Sequence, residues 1–311
     1  MLPKGRFRWA LAAVLLLLGL WALLQLRSQW QAKGCADQGA LMSLDTFKGK
    51  AELRLIVLGD AGTGEWLQAQ VAQSIAKVCA ELGCDLVLYL GDNFYPKGVT
   101  SLADPQWVSH FESVYADLDL PFLVVLGNHD AKGSVLAQRE YSLHSLKWRM
   151  PDFKYHLSAG PVELYGLNSN CRPFGWGWLK DQLDLAPAQS WRLVFAHHNL
   201  YGSGDHGDAP AMLRWLWDVW LGEQVDLLLS GHEHHLEHIQ LNPEGTDFLI
   251  SGGGGYPYKG SQSPQGRSGS LFLHPGQGFL YLQANRERLS ARFFDLYGAP
   301  LYRYQRERTG Q

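Results

Sequence analysis

Five short segments place metal-binding side chains directly after apolar runs, and they constrain the fold of this chain more than anything else in it. They are Gly59-Asp60-Ala61-Gly62, Gly91-Asp92-Asn93-Phe94-Tyr95, Gly127-Asn128-His129-Asp130, Ala196-His197-His198 and Gly231-His232-Glu233-His234. A short continuous apolar run bounded by glycine reads as a buried strand. Each motif therefore sits just past the C-terminal end of a strand, the edge where open α/β sheets bind ligands. Strands about 5 Å apart bring residues distant in sequence together there. From them two Asp, one Tyr, one Asn and at least three His can be drawn as metal donors. That set suits two adjacent metal ions sharing one carboxylate, a device for attack at phosphorus.

Taken alone, each motif has a plain explanation. Gly-Asp after a strand is usually a turn, and the seven of twelve histidines that fall between His197 and His238 could be a polar face. The conjunction of five strand ends with the right donor types is what points to a dinuclear site. The rest of the pattern agrees with a sheet to carry it. Residues 53–58, 85–90 and 121–126 read as strands, with helices over 65–82 and 104–116 between them, the βαβ pattern of a parallel sheet. A helix is expected over 134–146, then antiparallel strands over 155–157 and 162–167. A helix over 176–185 precedes a strand over 191–195 that leads to His197. A Trp-rich helix over 210–221 precedes a strand over 225–229 that leads to His232. From residue 236 onward the pattern is strands separated by Gly-rich turns. The run Ser251-Gly252-Gly253-Gly254-Gly255 lets backbone pass close to a site. Residues 51–305 read as one catalytic domain with a two-sheet core, followed by a tail over 306–311. The helix bearing Trp215, Trp217 and Trp220 is expected to pack in the core, with a cleft rim or a lipid surface as alternatives.

The N-terminus is a separate matter. Lys4, Arg6 and Arg8 lie in a basic stretch, residues 1–8, before an apolar run over 9–26 whose one polar side chain is Gln25. The run is about as long as a bilayer core requires and longer than the apolar part of a signal peptide, about 7–15 residues. No small-x-small cleavage site follows it. The expectation is an uncleaved signal anchor, one N-terminal transmembrane helix, with residues 27–50 as a linker. Basic residues before the span place the catalytic domain outside the cytoplasm, periplasmic or extracellular; cleavage would make the protein secreted. The net charge is −3 and no basic run marks a nucleic-acid partner. A monomer is expected. Four cysteines fit an exported protein. Gly83 can end its helix and turn Cys84 back toward Cys79, leaving Cys35 and Cys171. Disulfides and buried free thiols both remain open.

The order G-D-x-G, G-D-N-F-Y, G-N-H-D, A-H-H and G-H-E-H resembles the purple acid phosphatases within the calcineurin-like metallophosphoesterases, the small tartrate-resistant type in particular. The likeness covers about residues 52–300 and includes the texture of 127–148. Its specific mark is Tyr95, three residues after the shared Asp92. The resemblance implies an α/β (α+β) fold, a four-layer αββα sandwich with two mixed β-sheets. It implies Fe(III) at Asp60, Tyr95 and His234, and Fe(II), Zn(II) or Mn(II) at Asn128, His197 and His232, with Asp92 bridging both ions. It implies that His129 binds substrate or acts as general acid, and that His206 is a second such histidine. His198 stands at a position that is not normally a ligand. His235 and His238 are expected to face solvent or to lie behind the ligands. Two departures stand out: Asn168 where the small enzymes carry Asp, and a shortened stretch over 171–176 that would leave the cleft more open.

The donor chemistry agrees independently, since a phenolate is a hard anionic donor suited to a hard trivalent cation. The function so implied is acid phosphatase activity on phosphate monoesters through a metal-bound hydroxide, with an acidic optimum and a small-molecule, nucleotide or phosphoprotein substrate. The alternatives are a metallophosphodiesterase or nucleotidase on the same scaffold, and a membrane-tethered metal-binding protein that has lost catalysis.

Overall fold

Short apolar runs do become strands in the computed structural model, which describes residues 38–173, 175–260 and 265–308 together with 17, 19, 25, 34 and 35. In chain order the strands are β1 (Ala40–Met42), β2 (Glu52–Leu58), β3 (Leu86–Tyr89), β4 (Phe122–Val124), β5 (Trp148–Arg149), β6 (Lys154–Ala159), β7 (Val162–Leu167), β8 (Trp191–Ala196), β9 (Leu227–Ser230), β10 (Leu236–Gln240), β11 (Asp247–Ser251), β12 (Ser270–His274), β13 (Gly278–Asn285), β14 (Arg288–Asp295) and β15 (Pro300–Glu307). The α-helices among the described residues are α1 (Trp66–Leu82), α2 (Val135–Glu140), α3 (Trp176–Leu185) and α4 (Ala211–Trp220).

The strands form two mixed sheets. One runs β1-β6-β7-β8-β9-β11-β10-β12 and the other β15-β14-β13-β2-β3-β4-β5. In the second, β2, β3, β4 and β5 pair in parallel, as the βαβ reading requires. In the first, β7, β8, β9 and β11 are parallel neighbours. Apolar residues of both sheets, such as Leu55 and Leu88 on one and Leu193 and Leu229 on the other, share one buried core. Fully apolar strands are what a sheet covered on both faces demands. On the outer face of the eight-stranded sheet, Leu179, Leu183 and Trp217 from α3 and α4 pack against Tyr165, Val194 and Leu228.

Helix α1 follows its apolar spacing. Val71, Ile75 and Val78 are buried, each worth about 1.5–3 kcal/mol of transfer free energy. Gly83 ends it at φ 76°, its N–H bonded to the Cys79 carbonyl, and Cys84 turns back to form a disulfide with Cys79. Cys35 and Cys171 form the second disulfide, so no free cysteine is found among the described residues.

Several elements differ from expectation. The helix expected over 104–116 is a π-turn at Trp107–Glu112, where Trp107 and Phe111 crowd against Trp148 at ring distances of 5.0 and 4.9 Å. The helix expected over 134–146 is capped by Ser134 but leaves α geometry after Glu140. There the chain must turn into β5, and Ser145 Oγ accepts from the N–H groups of Lys147 and Trp148. Part of the stretch read as a linker is built into the domain. Ala40–Met42 pairs in parallel with β6, Phe47 is buried, and Gly39 N–H donates to Asp152.

The transmembrane helix expected over 9–26 lies outside the described residues, apart from positions 17, 19 and 25. Among the described residues no helix is long and apolar enough to cross a membrane.

Candidate metal centre

All five motifs arrive at one edge of the sandwich. Asp60, Asp92 and Asn128 follow β2, β3 and β4 of one sheet, while His197 and His232 follow β8 and β9 of the other. Asp60, Asp92 and His232 have φ of 56°, 51° and 70°, and they are the described non-glycine residues in the left-handed region. Such backbone costs free energy and tends to collect at functional sites. Here hydrogen bonds hold it, with Asp60 N–H donating to the Gly91 carbonyl at 3.1 Å and His232 N–H to Asp60 Oδ2 at 2.7 Å.

Two donor clusters result. In the first, Tyr95 Oη lies 3.1 Å from Asp60 Oδ1, 2.9 Å from Asp92 Oδ2 and 3.4 Å from His234 Nε2. In the second, His197 Nε2 lies 2.9 Å from Asn128 Oδ1, 3.2 Å from His232 Nδ1 and 3.5 Å from Asp92 Oδ1. The two oxygens of Asp92 thus face different clusters. The grouping is tight, with ligand atoms of Asp60, Asp92 and His197 all within 4.8 Å of one another.

The donor set fits cations better than hydrogen bonds. His197 donates its Nδ1–H to the Leu90 carbonyl at 3.0 Å, so that in the neutral ring the lone pair is on Nε2. That lone pair faces acceptor oxygens of Asn128 and Asp92. Tyr95 has one proton and two carboxylates to give it to. Acceptors facing acceptors in a buried place leave a positive charge wanting.

The electrostatics point the same way. Burial works to raise the Asp60 carboxyl, but the histidines His197, His234 and His232 outweigh it and hold it below the usual carboxylate range. Burial, reinforced by Asp60 and Asp92, pushes the Tyr95 phenol far up, so it gives up its proton only to a strong competing cation. Burial together with the charges of His197, His198 and His206 pushes the His232 imidazole well down, into the neutral form a ligand requires.

Glycine makes this proximity possible. A Cβ at Gly127 would overlap Asp92 Oδ1, and one at Gly231 would overlap Asp60 Oδ2. Gly127→Ala is expected to displace the Asp92 carboxylate and weaken metal binding by about 10–100-fold, the scale for disturbing a ligand's supporting contacts. Elemental analysis after dialysis against graded chelator checks it, with circular dichroism to show that the sheets persist.

Behind the ligands, Asp130 accepts from the N–H groups of Gly127 and Asn93 and from Gln138. Its carboxyl is pushed up to about 8 by burial and the nearby Asp92. At the mouth, His129 donates Nδ1–H to the Pro96 carbonyl at 2.7 Å, leaving Nε2 at 4.0 Å from Asp92 Oδ2. His206 is exposed and stacks on the His232 ring at 4.0 Å. Its loop is pinned from below, since Gly207 N–H donates to Glu233 at 2.6 Å and Ser203 bonds to Glu237.

Sequence reasoning missed some neighbours and left the place of others open. Lys132 Nζ comes within 3.4 Å of His129 Nε2. Tyr256 lays its ring 4.5 Å from that of Tyr95 and 4.6 Å from that of His234. The one signal for Tyr256 was its place directly after the glycine run. His235 and His238 do not face solvent; both are buried, bonded to Glu237 and to Asp247 with Tyr302 respectively. Burial of each is offset by a carboxylate at hydrogen-bond distance, an arrangement that depends on strand pairing and not on local pattern. His198 has a ring nitrogen within 4.8 Å of ring nitrogens of His197 and His232, but its Nδ1 is engaged with Ser169 Oγ at 2.8 Å.

Comparison with known proteins gives a consistent result. The family model for calcineurin-like phosphoesterase matches residues 53–236, a range that contains both donor clusters. Purple acid phosphatase 3 of Arabidopsis thaliana is 30% identical over 292 residues, covering 85% of this chain and 80% of that protein. Tartrate-resistant acid phosphatase type 5 of Homo sapiens is 29% identical over 269 residues, covering 75% of this chain and 82% of its own length. Among solved structures, GAP50, described as the anchor in the inner membrane complex of Plasmodium, superposes with a TM-score of 0.74 at 24% identity, covering 84% of this chain and 90% of that one.

Proposed function

Since the chain belongs to the calcineurin-like phosphoesterases and, among them, to the purple acid phosphatases, it is an acid phosphatase, and we propose that it hydrolyses phosphate monoesters with a pair of one trivalent and one divalent metal ion. Asp60, Tyr95 and His234 would hold Fe(III). Asn128, His197 and His232 would hold Fe(II), Zn(II) or Mn(II), and Asp92 would touch both ions. The observation that carries this reading is the Tyr95 oxygen, buried among two carboxylates and an imidazole.

Bound there, two cations supply Lewis-acid charge to the phosphate and acidify a water for attack on phosphorus. The protein's own groups do the rest. Asp92, with one oxygen toward each cluster, fixes the spacing of the two positions. His197 and His232 are imidazoles and Asn128 is an amide, so Asp92 is the one anionic side chain of the second position, which suits a divalent ion. The Pro96 carbonyl fixes the His129 ring, so that Nε2 is the atom left to hold a phosphate oxygen or to hand a proton to the departing alcohol. His206, stacked on His232, offers a second ring at the mouth for the phosphate. The histidines and Lys132 give the mouth donors for a dianion.

The test is a visible absorption spectrum with elemental analysis of the pure protein. Two metal ions per chain and a phenolate-to-iron charge-transfer band are expected. Tyr95→Phe should lose the band. A metal-replete protein whose spectrum is unchanged by Tyr95→Phe would overturn the assignment. Assay of bis(p-nitrophenyl) phosphate beside p-nitrophenyl phosphate separates monoesterase from diesterase activity, with the monoester expected to be preferred.

A further inference from the structure

Helix α4 is apolar on two opposite sides. Trp217 is buried and packs on Trp176 with ring centroids 5.7 Å apart. Yet Met212, Trp215, Val219 and Trp220 are 65%, 57%, 58% and 43% exposed. Their spacing of three, four and one residues places them on one face of a helix. The two charged residues of the helix turn toward the preceding loop: Arg214 pairs with Asp208 at 2.8 Å and Asp218 meets the Tyr201 hydroxyl at 3.5 Å. The outward face carries large apolar side chains, with the exposed Asp218 at its margin. The expectation of core packing therefore holds for Trp217 and not for Trp215 or Trp220.

What covers this face follows from where the chain enters the domain. Cys35 is tied to Cys171. Gly34, Cys35, Cys171, Trp176 and Trp217 line one cavity of about 40 Å³, so the entry point and the inner side of α4 share walls. Residues 27–33 connect that point to the apolar run over 9–26. Seven residues span about 25 Å at most, and a helix is about 10–12 Å across. An apolar run that enters a bilayer must therefore leave it within reach of the α4 face. Tryptophan with neighbouring aliphatic side chains is the composition that membrane interfaces take up.

We propose that the outer face of α4, formed by Met212, Trp215, Val219 and Trp220, rests in the headgroup region of the lipid bilayer into which residues 9–26 insert. The inference takes the anchor reading of the sequence as its premise and is independent of the metal assignment. The helix lies on the outer face of the eight-stranded sheet, whereas the donor clusters lie at the strand ends. Docking through α4 thus leaves the mouth of the metal centre open to water.

The described cysteines all form disulfides, so a single introduced thiol labels specifically. Val219→Cys, with Met212→Cys as a second reporter, would carry a polarity-sensitive fluorophore in the full chain reconstituted in phosphatidylcholine nanodiscs. Leu143→Cys, 87% exposed in the turn after α2, serves as reference. Blue-shifted emission at 219 and 212 is expected, with quenching by headgroup spin-labelled lipid roughly twofold or more above that at 143. Equal lipid quenching at all three positions overturns the proposal. So does failure of the chain to remain with the lipid. Shielding at 219 that depends on protein concentration and not on lipid points to a second copy of the chain as the occupant, and overturns it as well.

Discussion

Asp92→Ala loses both metal ions together and lowers kcat/KM by more than about 1000-fold, beyond what a single electrostatic donor supplies. The carboxylate is the one group with an oxygen in each donor cluster, Oδ2 toward Tyr95 and Oδ1 toward His197. It also accepts the His129 N–H at 2.8 Å, so its loss loosens the residue that faces the mouth. Asp92 sits at φ 51°, where alanine pays a steric cost of about 1–2 kcal/mol that Asp and Asn largely escape. Asp92→Asn is therefore the sharper variant, keeping shape and backbone preference while removing the charge. Elemental analysis, steady-state kinetics and a thermal melt on both variants check the claim. Full turnover with one or two ions retained in Asp92→Asn would show that no shared carboxylate is needed.

His129→Ala gives the opposite pattern. Metal content and the visible spectrum are retained, while kcat falls by about 100- to 10000-fold, the range for a positioned acid or base. The side chain contacts the Pro96 carbonyl and the Tyr95 ring but none of its nitrogens lies in either donor cluster. The loss should be larger for alkyl phosphates than for p-nitrophenyl phosphate, because a poor leaving group needs the proton more. An equal loss across leaving groups assigns His129 to phosphate binding alone. Loss of metal in His129→Ala would move the residue into the ligand set.

The contrast between these two variants also marks what the sequence could disclose. The candidate donors were legible because each is a distinctive residue at the end of a short apolar strand, and parallel strands deliver such ends to a common edge. Asp60, Asp92, Asn128, His197 and His232 needed only that rule. The groups that hold them were not legible. Glu233 and Glu237 brace the loop of His206, and His238 is buried against Asp247 and Tyr302; these partners meet only after the strands have paired. Tyr256 and Lys132 reach the mouth from loops whose paths no periodicity dictates. The π-turn at Trp107–Glu112 and the small strand Ala40–Met42 arise from packing and covalent anchoring, which override local propensity.

The donors are divided between the two sheets, the early ones on one and the late ones on the other, and this has a temporal meaning. Asp60, Asp92, Tyr95 and Asn128 emerge early in synthesis, but His197, His232 and His234 come much later and from the opposite layer. No partial chain ending before His232 contains either donor cluster whole. A metal pair held by both clusters would be complete only after the late strands have joined the fold.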